Sequence, residues 1–269
     1  MAANIRMIGT NLADTATITS SSAASSSLGV GNLTSDIKSQ VLRTTGVTAE
    51  TVKVAWTNAV TLQAVVFPWS NLKAGDTISV TGYSDTAGTI QTSASGDISA
   101  CPAALPLAIG DYNNYTCARV WLAAPITVKC ILITVKSPAH PAGYIELGRI
   151  VCAAYWEGVK NVDYGATLTP VDSSKTYRND AGDLLVDVGP THNKLTFTHS
   201  TLSPSERAIF FAMIRAKGRR TPFFISVFPN SADAELERDH QGWFRLTNDP
   251  GVGMPSFLQY TVSPEFEEI

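Results

Sequence analysis

The 269-residue chain has little charge. Only 16% of its residues are Asp, Glu, Lys or Arg, below the roughly 25% of ordinary domains. Its 20 cations and 23 anions leave a net charge of −3, so the basic stripe that binds nucleic acid is absent. No apolar run reaches the roughly 18 residues of a membrane helix, and no membrane insertion is expected. The opening residues Met1–Ile8 lack a charged segment followed by an apolar one. No secretion signal is therefore read, and synthesis in the cytoplasm is expected. Four cysteines and four histidines, with no Cys-x-x-Cys pair, provide no zinc set, and neither metal nor cofactor is expected. Cys130 lies in the alternating stretch 126–135, on the face of Val128 and Leu132, and reads as a buried free thiol. Cys101 and Cys117 flank a Pro-rich loop and could reach each other, but cytoplasmic synthesis argues against a bridge.

What is there is β-rich and divides by charge density. The first 155 residues hold nine cations and eight anions, and the last 114 hold eleven and fifteen. A junction is expected near Trp156, with one domain over 1–155 and another over 156–269. In the first, Val52, Val54 and Trp56 alternate on one face, and Leu62–Phe67 is an apolar run stopped by Pro68. Thr77–Tyr83, Ile126–Val135 and Tyr144–Val151 complete a set of short β-branched strands, the pattern of a sandwich or jelly roll. Ser20–Ser27 is too poor in apolar residues to form core and reads as a loop. In the second, Ser203-Pro204-Ser205-Glu206 is a capping box with Pro at the first helical position. Ile209, Phe210, Met213 and Ile214 follow at helical spacing, and Gly218 ends the helix. Strands are expected at Lys194–His199 and Phe223–Phe228, which makes this domain α+β with one main helix.

Chemistry is hard to find. Asn179–Asp183 lacks the alternating oxygen ligands of a calcium loop and reads as a polar hairpin turn. Asp233–Asp239 mixes signs as a solvated surface does, and no Gly-x-Ser-x-Gly elbow surrounds a serine. No catalytic residue is assigned, and the chain is read as a non-enzyme. Arg215, Lys217, Arg219 and Arg220 exceed what capping the helix dipole needs, and are candidates for a subunit interface. Trp69, where a strand leaves the sheet, either closes the core or faces a ligand. Asp111-Tyr112-Asn113-Asn114-Tyr115 is a polar aromatic loop. Trp69, Tyr112, Asn113, Asn114 and Tyr115 are the candidates for ligand or partner binding, since Tyr and Asn suit sugars and protein interfaces alike.

Asn32–Gly46, Ala64–Ser84 and Tyr144–Ile150 resemble the opening, middle and closing strands of galactose-binding-like (discoidin-like) jelly rolls found in bacteriophage tail proteins. Trp69-Ser70-Asn71-Leu72 stands where many relatives have His-Asn-Leu. Arg178–Leu184, Arg207–Arg220, Pro222–Pro229 and Leu236–His240 are similar to a pattern of tail-tip components. The resemblance implies a virion subunit of a tail tip or baseplate, made in the host cytoplasm. Its partners would be other tail proteins, a ring of its own copies and a host surface glycan. The 156–269 domain would anchor it, and the jelly roll would serve as an adhesion or decorating module. The resemblance transfers no catalytic residue and no sugar site. The rivals are a carbohydrate-binding lectin acting outside a tail and, more remotely, a glycan-cleaving enzyme.

Overall fold

The computed structural model describes residues 4–104 and 115–269. Strands predominate, as expected, and the chain forms two compact units. One runs to Glu157 and also takes in Phe223–Gly242; the other combines Gly158–Pro222 with Trp243–Ile269.

The first unit is an antiparallel jelly-roll sandwich built on two 21-residue strands, Glu50–Ser70 and Thr116–Lys136. They pair from Glu50 opposite Val135 to Ser70 opposite Thr116. Thr17–Ser20 and Val151–Ala153 border the first long strand at its two ends, while Thr77–Tyr83 borders the second. Register is irregular between Ala55 and Val60 and again between Leu62 and Ala64. At such irregularities the side chains that face inward change parity. Val52, Val54, Trp56 and Leu62 are core residues on the even positions, Val65 and Phe67 on the odd. Residues on both sides of the breaks share one core.

The two apolar runs expected at 51–57 and 62–67 are thus one strand, and Pro68 does not end it. Pro68 falls where register shifts between Phe67 and Ser70, a place where a missing N–H is tolerated. The second long strand also switches faces. Val128 belongs to the core, but so do Ile131, Ile133 and Val135, which turns Cys130 to the other face, away from the side expected from Val128. Cys130 is nonetheless buried and free, and so are the other three cysteines. Tyr144–Val151 is two short strands, Glu146–Leu147 and Val151–Ala153, rather than one. Ser20–Ser27 lies at the surface, tied down by Ser21 and Ser22 hydroxyls that both donate to Glu50 Oε2 at 2.6 Å.

Phe223–Gly242 contributes a second layer to this unit. Phe223–Ser226 pairs with Arg6–Ile8, and Phe224 lies 6.1 Å from the ring of Trp121. A short helix, Ala234–Asp239, brings the buried Glu237 to the half-buried Arg119 of the second long strand, Nε to Oε1 at 3.0 Å.

In the second unit, Thr167–Asp172, Thr191–Thr196 and Glu265–Glu268 form an antiparallel sheet. A separate hairpin joins Lys175–Arg178 to Leu184–Asp187, as the polar turn at Asn179–Asp183 predicts. The helix Pro204–Lys217 has the expected capping box and ends at Gly218. Its packing differs from expectation. Phe210 is buried and Met213 and Ile214 are half-buried, but Ile209 is 54% exposed. The inward strip runs through Glu206 and Phe210, one turn apart, which leaves Ile209 off to one side.

Candidate functional site

Trp69 is 2% exposed and turned inward, packed so tightly that a Cβ on Gly148 would lie 3.0 Å from its own Cβ. It therefore offers no face to a ligand. Tyr112, Asn113 and Asn114 lie outside the described residues. Tyr115 is at a site. Its hydroxyl donates to Glu146 Oε2 at 2.7 Å, on the edge of an open cleft of about 480 Å³ in the first unit.

The cleft gathers five separate segments: Leu28, Ser39–Arg43, Asn71–Lys73, Tyr115 and His140–Glu146. Two short strands fix its floor, with Arg43 opposite Glu146 across an antiparallel pair. Arg43 grips Glu146 Oε1 through Nε at 2.8 Å and Nη2 at 2.6 Å, while Tyr115 holds the other oxygen. The hydrogen bond to Glu146 raises the pKa of Arg43 above its ordinary value, so the guanidinium stays charged. Glu146 is 7% exposed, and a carboxylate at that depth requires such a partner. Arg43 also lies over the ring of Tyr144, 4.3 Å from its centroid, in cation–π geometry.

Asn71 locks the wall to the floor. Its Oδ1 accepts from the Glu146 amide at 2.8 Å, and its Nδ2 donates to the Tyr144 carbonyl at 3.2 Å. His140 accepts from the Ala142 amide through Nδ1 at 3.2 Å. Its Nε2 lies 2.9 Å from the Asn71 carbonyl, which can only accept, so the proton sits on Nε2. Lys73 and Ser39 are exposed at the rim, and Leu28, Pro141 and Ala142 add apolar surface. The result is a preformed polar cleft with charged, amide, hydroxyl and aromatic groups converging. Among the described residues, no group of three His, Cys, Asp or Glu is placed to hold a metal ion.

Of these residues only Tyr115 was singled out by the sequence. Glu146 carried a usable signal: it is an acid within an otherwise apolar strand run, in a half-chain with only eight anions. Arg43, next to Leu42 in a buried strand, is its counterpart. Asn71 lies in the Trp69–Leu72 stretch that the resemblance marks, but nothing local marks Lys73 or His140, whose roles depend on loops far apart in sequence.

The basic residues Arg215, Lys217, Arg219 and Arg220 are at the C-terminal end of the helix in the second unit, where Arg219 pairs with Asp249 at 2.8 Å. Arg215 lies 5.8 Å from the ring centroid of Phe211. They are remote from the cleft in sequence and contribute nothing to its lining.

No protein-family model matches the chain, and no curated protein matches it in sequence. Solved structures do match part of it. A GH29 fucosidase of Ruminococcus gnavus in complex with fucose is 15% identical over 56% of this chain, with a TM-score of 0.42. The chain covers only 28% of that enzyme. Chitosan-binding module 2 of a Paenibacillus chitosanase/glucanase, in complex with chitotriose, is 13% identical over 54% of this chain and all of its own (TM-score 0.41). The family 32 carbohydrate-binding module of Clostridium perfringens NanJ, in complex with galactose, is 11% identical over 56% of this chain and 99% of its own (TM-score 0.40). Likeness at this level bears no functional inference.

Proposed function

We propose that the first unit is a carbohydrate-binding module and that its cleft is the sugar site. One observation carries this reading: a nearly buried carboxylate, Glu146, is held by Arg43 and Tyr115 at the floor of an open cleft lined by Tyr144, Asn71 and His140. A sugar presents adjacent hydroxyls, each both donor and acceptor, on an otherwise apolar ring. Fixed carboxylate, guanidinium and amide groups match the hydroxyls, and tyrosine rings match the C–H face. The groups are already ordered by one another, so little entropy is lost when ligand binds. The arrangement suits recognition rather than cleavage. The carboxylate is committed to an ion pair, and among the described residues no second carboxylate lines the cleft at the separation that glycoside hydrolysis uses.

The test is calorimetric titration of the full chain with galactose, fucose and chitotriose, preceded by a glycan array to widen the panel. Saturable binding that Glu146→Gln and Tyr144→Ala abolish, with folding intact by circular dichroism, is the expected result. No glycan bound, or binding indifferent to both variants, would defeat the reading.

A place in a phage tail is the separate proposal that the sequence resemblance implies, and the cleft speaks neither for it nor against it. Support for it would be particles from a deletion strain that lack tails or adsorb poorly; normal particles would remove it.

A further inference from the structure

A hairpin in the second unit is exposed along both of its strands. All eight strand residues of Lys175–Arg178 and Leu184–Asp187 are exposed. The cross-strand register sets Tyr177 opposite Leu185 on one face, and Val186 and Leu184 opposite Thr176 and Arg178 on the other. Large apolar side chains therefore stand on both faces: Tyr177 is 56% exposed, Leu184 58% and Val186 53%. A two-stranded hairpin is marginal in water on its own, and apolar strand faces are ordinarily covered.

The arm is nonetheless firmly built. At its base the Ser173 amide donates to the Pro190 carbonyl, and the Gly189 amide to Ser174 Oγ at 2.9 Å. The two chain segments approach so closely there that a Cβ on Gly189 would lie 2.6 Å from the Ser173 backbone. The tip is closed by Asn179 and Asp183, amide to Oδ1 at 2.8 Å and Nδ2 to Oδ2 at 3.0 Å. Such an arm is shaped before it meets a partner.

The same unit carries a complementary surface. The helix Pro204–Lys217 leaves Ile209 54% and Phe211 43% exposed. Beyond them, Arg215, Lys217, Arg219 and Arg220 form a basic end, with Asp249 against Arg219. The tip of the arm carries Asp180 and Asp183 and its second strand ends in Asp187, against Lys175 and Arg178 on the first strand, which leaves the arm with an acidic excess of one. We propose that the arm of one copy docks on this helix face of a second copy of the chain. Its apolar faces would meet Ile209 and Phe211, and its acidic tip the basic end. Arm and receiver are different patches, so the contact is head-to-tail and propagates into a ring or a filament.

Sedimentation velocity and light scattering on the full chain, at concentrations up to about 0.1 mM, test this. Assembly beyond a monomer that grows with concentration is expected. Leu184→Asp with Val186→Asp in the arm, or Ile209→Asp with Phe211→Asp on the helix, should return the protein to a monomer. Reversal of Asp180 and Asp187 to Lys, or of Arg215 and Arg220 to Glu, should raise the dissociation constant at least about tenfold. Both reversals in one chain should restore assembly, an outcome that general destabilisation cannot mimic. Every substituted position is exposed, and an unchanged circular dichroism spectrum shows that folding is intact. A monomer at every concentration, assembly that ignores these substitutions, or reversals that fail to compensate would each overturn the proposal.

Discussion

Replacing Glu206 by Ala should destabilise the second unit far more than an ordinary helix-surface change. Glu206 is 6% exposed, in the first turn of the helix. Its Oε1 accepts from the Val159 amide at 2.7 Å, and its Oε2 from the Ser203 amide at 2.9 Å and the Ser203 hydroxyl at 2.6 Å. One carboxylate therefore satisfies two backbone donors and ties the helix start to residue 159. Deleting it removes half of the capping box, worth about 1 kcal/mol. It also strips acceptors from two backbone N–H groups, at about 1 kcal/mol or more each where water cannot follow. The Ser203 amide is the capping-box donor itself, so the sum is about 2 kcal/mol, several times the effect of a typical surface change. Ser203→Ala, which leaves the Val159 bond in place, should cost only about 1 kcal/mol. Urea unfolding followed by circular dichroism gives the overall loss, and hydrogen exchange at the Val159 and Ser203 amides shows where it arises.

Acid provides a second readout. Burial pushes the Glu206 pKa up, but hydrogen bonds from Ser203 and Val159 and the nearby His199 outweigh it and leave it below its ordinary value. Its stabilisation is then complete above the usual carboxylate range and is lost as pH falls through the depressed folded pKa. Glu206→Gln should remove that part of the acid sensitivity. A Glu206→Ala variant within about 0.5 kcal/mol of the parent would refute the reasoning; it would mean that water replaces the carboxylate without loss.

Burial holds His199 below its ordinary pKa, so its contribution is present above about pH 6.5 and is lost as pH falls toward the lowered folded value. Melting of the parent should therefore begin to fall below that pH, and a His199→Gln variant should show a flatter profile over the same interval. Gly148→Ala should cost about 1–3 kcal/mol, because the new methyl meets Trp69 Cβ and the Trp69 carbonyl, at 3.0 and 3.1 Å; thermal unfolding decides, and an unchanged melting point would show that the strand yields. Arg119→Met should cost about 3–5 kcal/mol by leaving the Glu237 carboxylate buried and unpaired, and a matching loss on urea unfolding is the check. The four buried thiols, with Cys101 pushed by burial up to about 11, should resist Ellman's reagent at pH 8 until the protein is unfolded; fast labelling of any of them in the folded state would contradict the burial.

The mainly β character, the helix limits and the polar hairpin turn were legible because each depends on short-range chemistry. The Ser203-Pro204-Ser205-Glu206 cap and Gly218 are local devices and lie where they were read. The helix face was misread because spacing alone cannot say which strip faces inward. The sequence marks Glu206 only as a cap, whereas its burial places it on the same inward strip as Phe210. The long strands hid behind Pro68 and behind the change of inward parity, since a bulge erases the simple period of two. The cleft was the least legible part. Its charged pair, Arg43 and Glu146, is brought together by strands more than a hundred positions apart, and no local pattern encodes such a meeting.

The discontinuity of the first unit bears on how the protein is made. Emergence of Glu157 from the ribosome does not complete that unit, because Phe224 and Glu237, the partners of Trp121 and Arg119, are not yet synthesised. At about 5–20 residues per second, several seconds of translation separate the two pieces. During that interval the outer face of the second long strand is bare, and the intervening residues 158–222 cannot finish their own unit, which awaits Trp243–Ile269. Both units therefore close only once residues 223–269 have been made, nearly together. Slowing the ribosome between codons 158 and 222 would prolong the exposed interval, so synonymous rare codons there should lower the yield of folded protein without altering a single residue.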